Sequence, residues 1–210
     1  MTTAEEFFTA EERGRIESAV QQAESQTSGE IVPMVVDASY DYPRAEILGA
    51  GLFSLATAVT LSWGFFGESL WHFLWLFPLC YFPFKLMIRA LPALKRRLIH
   101  PDEISAEIAE KAAISFLEQG LHHTRDETGI LILLSLFERR VYVLADRGIN
   151  SVVPHHHWDG IVTTITDGIH AGDACTALCA AIAACGQQLE EHFPVKHDDT
   201  NELPNLIIES

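Results

Sequence analysis

Two long apolar runs dominate the pattern of hydrophobic and polar positions. Residues 45–66 read AEILGAGLFSLATAVTLSWGFF, in which Glu46 is the charged position. A polar break follows at residues 67–69, and residues 70–91 read LWHFLWLFPLCYFPFKLMIRAL. Each run reaches the roughly 20 residues that a helix needs to cross a bilayer. The pattern therefore predicts a two-pass transmembrane hairpin over residues 44–97.

Shorter patterns before the hairpin predict one helix and one strand. Residues 9–12, TAEE, have the form of a capping box, and apolar positions follow at helical spacing through residue 23. EIVPMVVD, over residues 30–37, predicts a strand. Pro33 lacks a backbone N–H group, so we expect this strand to lie at an edge or to contain a bulge.

The chain after the hairpin alternates between helix and strand patterns. A helix is predicted from Pro101, with an apolar stripe that ends near Gly120. The continuous apolar run GILILLSL, over residues 129–136, is typical of a central buried strand, and VYVLAD, over residues 141–146, indicates a returning strand. Two more helices are predicted, over residues 158–169 and 173–192.

This element order predicts an α/β fold, a small central sheet flanked by helices. The transmembrane hairpin is inserted in a crossover between two strands. Residues 1–43 and 98–194 are expected to form one domain in two segments, and residues 195–210 to form a flexible tail.

The charge pattern adds an orientation and excludes one class of partner. The chain has 14 lysines and arginines against 29 acidic residues, a net charge of −15, which argues against binding to nucleic acid. Arg44 precedes the first span and residues 95–97, KRR, follow the second, whereas the central turn has neither lysine nor arginine. The positive-inside rule then predicts a protein of the inner (plasma) membrane with both termini in the cytoplasm. The acidic N-terminus does not have the pattern of a signal peptide.

Three stretches in this order resemble the TPM domain, a family named for thylakoid-lumen and photosystem II repair proteins that also has membrane-bound bacterial relatives. They are TSGEIV at residues 27–32, TGILILLSLFERRVYVLADRGI at residues 128–149, and GD at residues 172–173 before an alanine-rich helix. The resemblance implies an α/β sandwich. It also implies one of several activities, since members are described as acid phosphatases, as assembly or repair factors, and as binders of divalent cations.

By position, the resemblance assigns the site to Asp126, Asp146 and Asp173. Carboxylate oxygens suit calcium or magnesium better than zinc. From the residues alone, Asp146 could equally end a strand and Asp173 could start a helix. The two readings stay open at the level of sequence.

Two further groups of residues are candidates for a site. Arg139 and Arg140, in the turn between the predicted strands, could contact an anion such as phosphate or lie in a solvated turn. In VPHHHWDG, His155 and His157 fall on one face of an extended chain, and with Asp159 they form a weaker metal set, suited to zinc. The alternative is a solvated or pH-sensitive loop.

Three functions are consistent with these patterns. The first is a membrane-anchored, non-catalytic domain that docks to or maintains a membrane-protein partner. The second is a divalent-cation-dependent phosphatase. The third is a module that senses a metal or pH through the histidines.

Overall fold

The computed structural model describes residues 2–66, 70–124, 126–154, 156–195 and 203–209. The chain divides into two compact units, Tyr40–Ser105 and Thr2–Ser39 with Ala106–Ser210. The helices are α1 (Ala4–Phe7), α2 (Ala10–Glu24), α3 (Pro43–Leu61), α4 (Leu70–Ala90), α5 (Pro92–Arg97), α6 (Pro101–Glu118), α7 (Arg147–Asn150), α8 (His156–Ala171) and α9 (Ala174–His192). The strands are β1 (Glu30–Val36), β2 (Gly129–Ser135), β3 (Arg140–Ala145) and β4 (Ile207–Glu209).

The described strands form a sheet in the order β3-β2-β1-β4. β1 is parallel to β2, with a register that runs from Glu30 opposite Gly129 to Val36 opposite Ser135, and β3 returns antiparallel to β2. The long β1–β2 crossover contains α3 to α6. The predicted α/β fold class is confirmed.

One face of the sheet packs against α2, α8 and α9. Ile31 and Val35 alternate towards this face from β1, as do Ile130, Ile132 and Leu134 from β2. Gly186 allows α9 to approach α2 closely, because a Cβ atom there would lie 2.7 Å from that of Ala23. The residues in between on both strands, such as Val32 and Leu131, are also fully buried. Burial on both faces explains why β2 is a continuous apolar run without alternation.

The prediction that Pro33 marks an edge strand is wrong, because β1 lies inside the sheet. Glu30 donates its N–H to Thr128 on the β2 side, so the odd-numbered residues of β1 face the β4 side. β4 pairs with β1 from Met34 onward. Pro33 therefore lies on the side where pairing has not yet begun, and its missing donor removes no ladder hydrogen bond.

The predicted flexible tail over residues 195–210 is wrong at Ile207–Glu209, which forms β4, parallel to the end of β1. Residues 196–202 and 210 of that tail lie outside the described residues. The Asp37 N–H donates to the Glu209 carbonyl over 3.2 Å, and Lys111 Nζ lies 2.6 Å from Glu209 Oε1. The strand is short, and its stability depends on β1 and α6, so local sequence did not reveal it.

The unit Tyr40–Ser105 is a helical hairpin. α3 continues as a π-helical segment at Ser62–Phe66, and α4 runs unbroken through Pro78 and Pro83. Small residues of α3 face inward, and the Ser54 hydroxyl donates to the Phe77 carbonyl on α4. Pro43–Phe65 and Leu70–Ala90 are long and apolar enough to cross a membrane, and only 28% and 6% of their most apolar windows are buried.

Candidate functional site

The acidic residues near β2 gather at one end of the sheet. Because β3 is antiparallel to β2, the start of β2 and the end of β3 lie side by side. The Asp146 N–H donates to the Gly129 carbonyl over 2.9 Å, and the Gly148 N–H donates to the Glu127 carbonyl over 3.1 Å. These bonds bring the loop with Asp126 and Glu127 against the start of α7.

An ion pair fixes this loop. Arg147 Nε and Nη2 donate to Glu127 Oε2 and Oε1 over 2.9 and 2.7 Å, and these hydrogen bonds raise the pKa of Arg147 above its usual value. Glu127 has a φ of 56°, in the left-handed region. A Cβ atom on Gly148 would lie 2.5 Å from the Asp126 carbonyl oxygen, so only glycine permits this close approach.

Asp146 has a structural role at this end. Its Oδ1 accepts the N–H of Arg147 over 2.6 Å and caps α7. Its Oδ2 is buried and has no hydrogen-bond partner among the described residues. A buried carboxylate oxygen normally has a partner, so this oxygen is the part of Asp146 that remains available to a ligand.

Asp173 lies at the opposite end of the sheet. α2 leads directly into β1 and runs back along it, so the first turn of α2 lies near the carboxyl end of β1. Asp173, at the start of α9, is close enough to Glu12 in that turn for its charge to act on the Glu12 carboxyl. The structure thus brings Asp126 and Asp146 together and places Asp173 elsewhere. Within the described ranges, no three His, Cys, Asp or Glu side chains are grouped closely enough to hold a metal ion.

The histidine segment is helical where an extended loop was expected. α8 begins at His156, and the His157 N–H donates to the Pro154 carbonyl over 3.0 Å. Residues two apart on a helix are separated by about 200° around its axis, so His157 and Asp159 do not share a face. His155, the third member of the predicted set, lies outside the described residues.

His157 nevertheless has a buried polar atom. Its Nε2 has no partner among the described residues, and its ring packs edge-on against Trp158, with centroids 5.8 Å apart. Trp158 is itself buried and faces the core shared with α9. His157 is therefore partly a packing residue.

The β2–β3 turn contains a buried carboxylate that the sequence reading missed. Arg139 and Arg140 are exposed, as a solvated turn requires, but Glu138 is 4% exposed. It accepts the hydroxyl of Ser135 and the N–H of Ser39, the latter over 2.9 Å. The sequence signal for this contact was Ser135, which lies at the end of β2, three residues before Glu138.

A second missed feature is the carboxyl pair Glu24–Glu30. The Ile31 N–H donates to Glu24 Oε1 over 3.0 Å, and the Glu30 side chain is hydrogen-bonded to Glu24. Burial raises the pKa of Glu24 to about 8; the Glu30 charge acts in the same direction, and the Ile31 N–H opposes it. This shift favours the protonated form of Glu24 at neutral pH. Glu24 and Glu30 flank the turn at residues 25–29, and the sequence does not indicate that their side chains meet.

A protein-family comparison finds a likeness in the second half of the chain. The model of the TPM domain matches residues 95–188. That segment is similar to a TPM domain. The matched segment includes α6, β2, β3, α7, α8 and most of α9, and with them Asp126, Asp146 and Asp173. α2 and β1, which precede the hairpin, lie outside the matched segment but belong to the same core and sheet.

Among solved structures, the chain is similar to the NMR structure of BA42 protein from the psychrophilic bacterium Bizionia argentinensis. The TM-score is 0.61 and the sequence identity 23%, with 100% of each chain covered. At that identity the likeness shows the fold alone. No curated protein matches the chain.

Proposed function

We propose that this chain is a two-pass protein of the inner membrane whose TPM domain acts in the cytoplasm as a non-catalytic docking factor. Its role would be to assemble or maintain another membrane protein. The observation that carries the proposal is the exposed apolar surface of the hairpin. A folded domain whose strand crossover contains such a surface needs a bilayer or a partner to cover it.

The outer face of α4 is suited both to contact with lipid and to contact with a partner protein. Five large apolar side chains recur at spacings of three and four, so they share one stripe: Trp71, Trp75, Leu79, Phe82 and Leu86. Each is between 69% and 76% exposed. In water, a stripe of this length would favour association, because burying apolar surface gains about 25 cal/mol per Å². In a bilayer, the same stripe is stable and offers aromatic side chains to a neighbouring helix.

The arrangement of the acidic residues supports a non-catalytic role. A cation-dependent phosphatase needs converging oxygen ligands, and Asp173 lies at the other end of the sheet from Asp126 and Asp146. Glu127, the other carboxylate in the same loop, is engaged by Arg147. The carboxylate oxygens with described partners therefore stabilise the fold.

Site-specific photocrosslinking tests the docking role. A photoreactive residue replaces Trp71, Trp75 or Phe82 in the full chain, and the exposed Thr163 of α8 provides the matched control. We expect the same membrane protein to be captured from all three stripe positions and not from Thr163. Adducts with lipid alone at every stripe position would rule out a partner at this face.

A specific observation favours one alternative, a divalent-cation-dependent phosphatase. Asp146 Oδ2 is buried without a described partner, at the end of the sheet where Asp126 lies. These oxygens would suit calcium or magnesium. Hydrolysis of a model phosphoester in calcium, magnesium or manganese, abolished by Asp146→Asn, would replace the docking proposal. We expect the wild type and the Asp146→Asn variant to show the same background hydrolysis.

A further inference from the structure

Charge is divided very unevenly along the chain. Residues 44–97 contain six of the 14 lysines and arginines but two of the 29 acidic residues, so this segment carries +4. The rest of the chain carries −19. A domain with that charge is repelled by an anionic bilayer surface, whereas the hairpin is attracted to one.

The cations of the hairpin lie at its base, where α3 begins, α4 ends and α5 follows. Lys95 Nζ lies 2.7 Å from Glu46 Oε1, and both side chains are nearly buried, at 14% and 13% exposed. Nearly two helical turns into α3, a Cβ atom on Gly49 would lie 2.7 Å from Leu98 and 2.9 Å from Ile88. These contacts close the base and pair Lys95 with an acidic side chain of its own chain.

Three exposed cations remain at this base, and all are arginines. Arg44 is in the first turn of α3, Arg89 in the last turn of α4 and Arg97 at the end of α5. The guanidinium group offers parallel N–H donors that match two phosphate oxygens, which a lysine cannot do. Prolines at the starts of α3 and α5 fix the two chain turns that place these side chains.

We propose that Arg44, Arg89 and Arg97 form a binding surface for the phosphate groups of anionic phospholipids. The surface rests on the proposed membrane insertion and goes beyond it, because it assigns a lipid class and named residues. The three arginines lie on α3, α4 and α5, close in sequence to the start of the first span and the end of the second. Bound headgroups offset the repulsion between the acidic domain and the same leaflet.

The test compares lipid binding by variants of the full chain purified in detergent. The triple variant Arg44→Gln, Arg89→Gln and Arg97→Gln is compared with a control of equal charge change, Arg15→Gln, Arg139→Gln and Arg140→Gln, whose residues are exposed outside the hairpin. Native mass spectrometry measures retained phosphatidylglycerol against phosphatidylcholine. We expect roughly 100-fold weaker phosphatidylglycerol binding in the hairpin variant and little change in the control.

A second variant, with lysine at the same three positions, distinguishes a lost phosphate contact from a misfolded hairpin. It preserves the charge but not the paired N–H donors, so it should recover part of the binding that glutamine removes. Phosphatidylglycerol binding that is unchanged in the glutamine variant would overturn the proposal. Loss in the control variant alone would also overturn it and would move the anion contact to the β2–β3 turn.

Carbonate extraction of native membranes keeps the two proposals apart. Wild-type protein released by carbonate would contradict membrane insertion itself. Wild-type protein that stays in the membrane, together with a glutamine variant that binds phosphatidylglycerol normally, would contradict the lipid surface alone.

Discussion

At the scale of single residues, two carboxyl groups have roles that the sequence did not indicate, the partly buried Glu24 and the buried Glu138. Partial burial raises the pKa of Glu24, and Glu138 is held by two donors in the turn after β2. Asp146, which the family resemblance pointed to, caps α7 with one oxygen. Residue type alone did not separate these roles, because each depends on which neighbours the fold supplies.

Glu24 makes stability depend on pH. Its pKa is about 8 in the fold against 4.5 for an ordinary glutamate, so its contribution is complete below pH 4.5 and is lost as pH rises through 8. Glu24→Gln should therefore raise the free energy of unfolding at pH 8 relative to wild type, by on the order of 1 kcal/mol once partial exposure is discounted.

Urea unfolding of both proteins at pH 5 and pH 8 measures this difference. Glutamine can still accept the Ile31 N–H, whereas Glu24→Leu cannot and serves as the comparison. A difference between wild type and Glu24→Gln that is the same at both pH values would contradict a retained proton.

Glu138 is expected to stabilise the exit from β1. Glu138→Ala leaves the Ser39 N–H and the Ser135 hydroxyl without their acceptor, so it should cost about 1–3 kcal/mol of the free energy of unfolding. Urea denaturation gives the value. Arg139→Ala, one residue along and exposed, is the matched control and should lie within about 0.5 kcal/mol of wild type.

At the scale of elements, the apolar periodicity predicted the helices and strands, but it did not predict which strands pair with each other. The predicted helices and the strands β1, β2 and β3 are present, with ends within a few residues of those expected. Helices form from local spacing, which the sequence contains. The position of β1 inside the sheet and the existence of β4 depend on partners far along the chain. His157 lies in α8 and not in an extended loop, because that helix begins at His156, two residues before the predicted start.

The close packing of α3 at Gly49 can be tested by substitution. Gly49→Val should destabilise the α3–α4 contact, because the new side chain meets Leu98 and Ile88. Gly51→Val, on the same helix with no atom within 4 Å of a Cβ, is the control. Thermal unfolding in detergent, followed by tryptophan fluorescence, should show a lower midpoint for Gly49→Val alone. Equal midpoints would contradict this packing.

The strand β4 can be tested by truncation. Removing residues 203–210 deletes its pairing with β1 and the Lys111–Glu209 ion pair, so the free energy of unfolding should fall. Lys111→Gln removes the ion pair alone and should cost less, about 1 kcal/mol at most. Urea unfolding distinguishes the two effects. A truncated chain as stable as wild type would show that β4 contributes nothing.

At the scale of the whole molecule, the proposed topology predicts the side on which each end of the chain lies. Reporters that are active only in the cytoplasm should work when fused to either terminus, because the lysines and arginines flank the spans on that side. The same reporter inserted at residues 67–69 should be inactive. Activity at the insertion and none at the termini would reverse the orientation.

The sequence by itself determined the fold class and the two apolar helices, because both follow from local spacing and from long runs of apolar residues. Only the tertiary structure decided which charged groups are neighbours. It separated Asp173 from Asp126 and Asp146, joined Glu24 to Glu30 and buried Glu138. The physical reason is that burial and electrostatic interaction depend on distances in space. A mixed sheet, in which β1 and β2 are parallel and joined by a long crossover, sets those distances between residues about 100 positions apart in the chain.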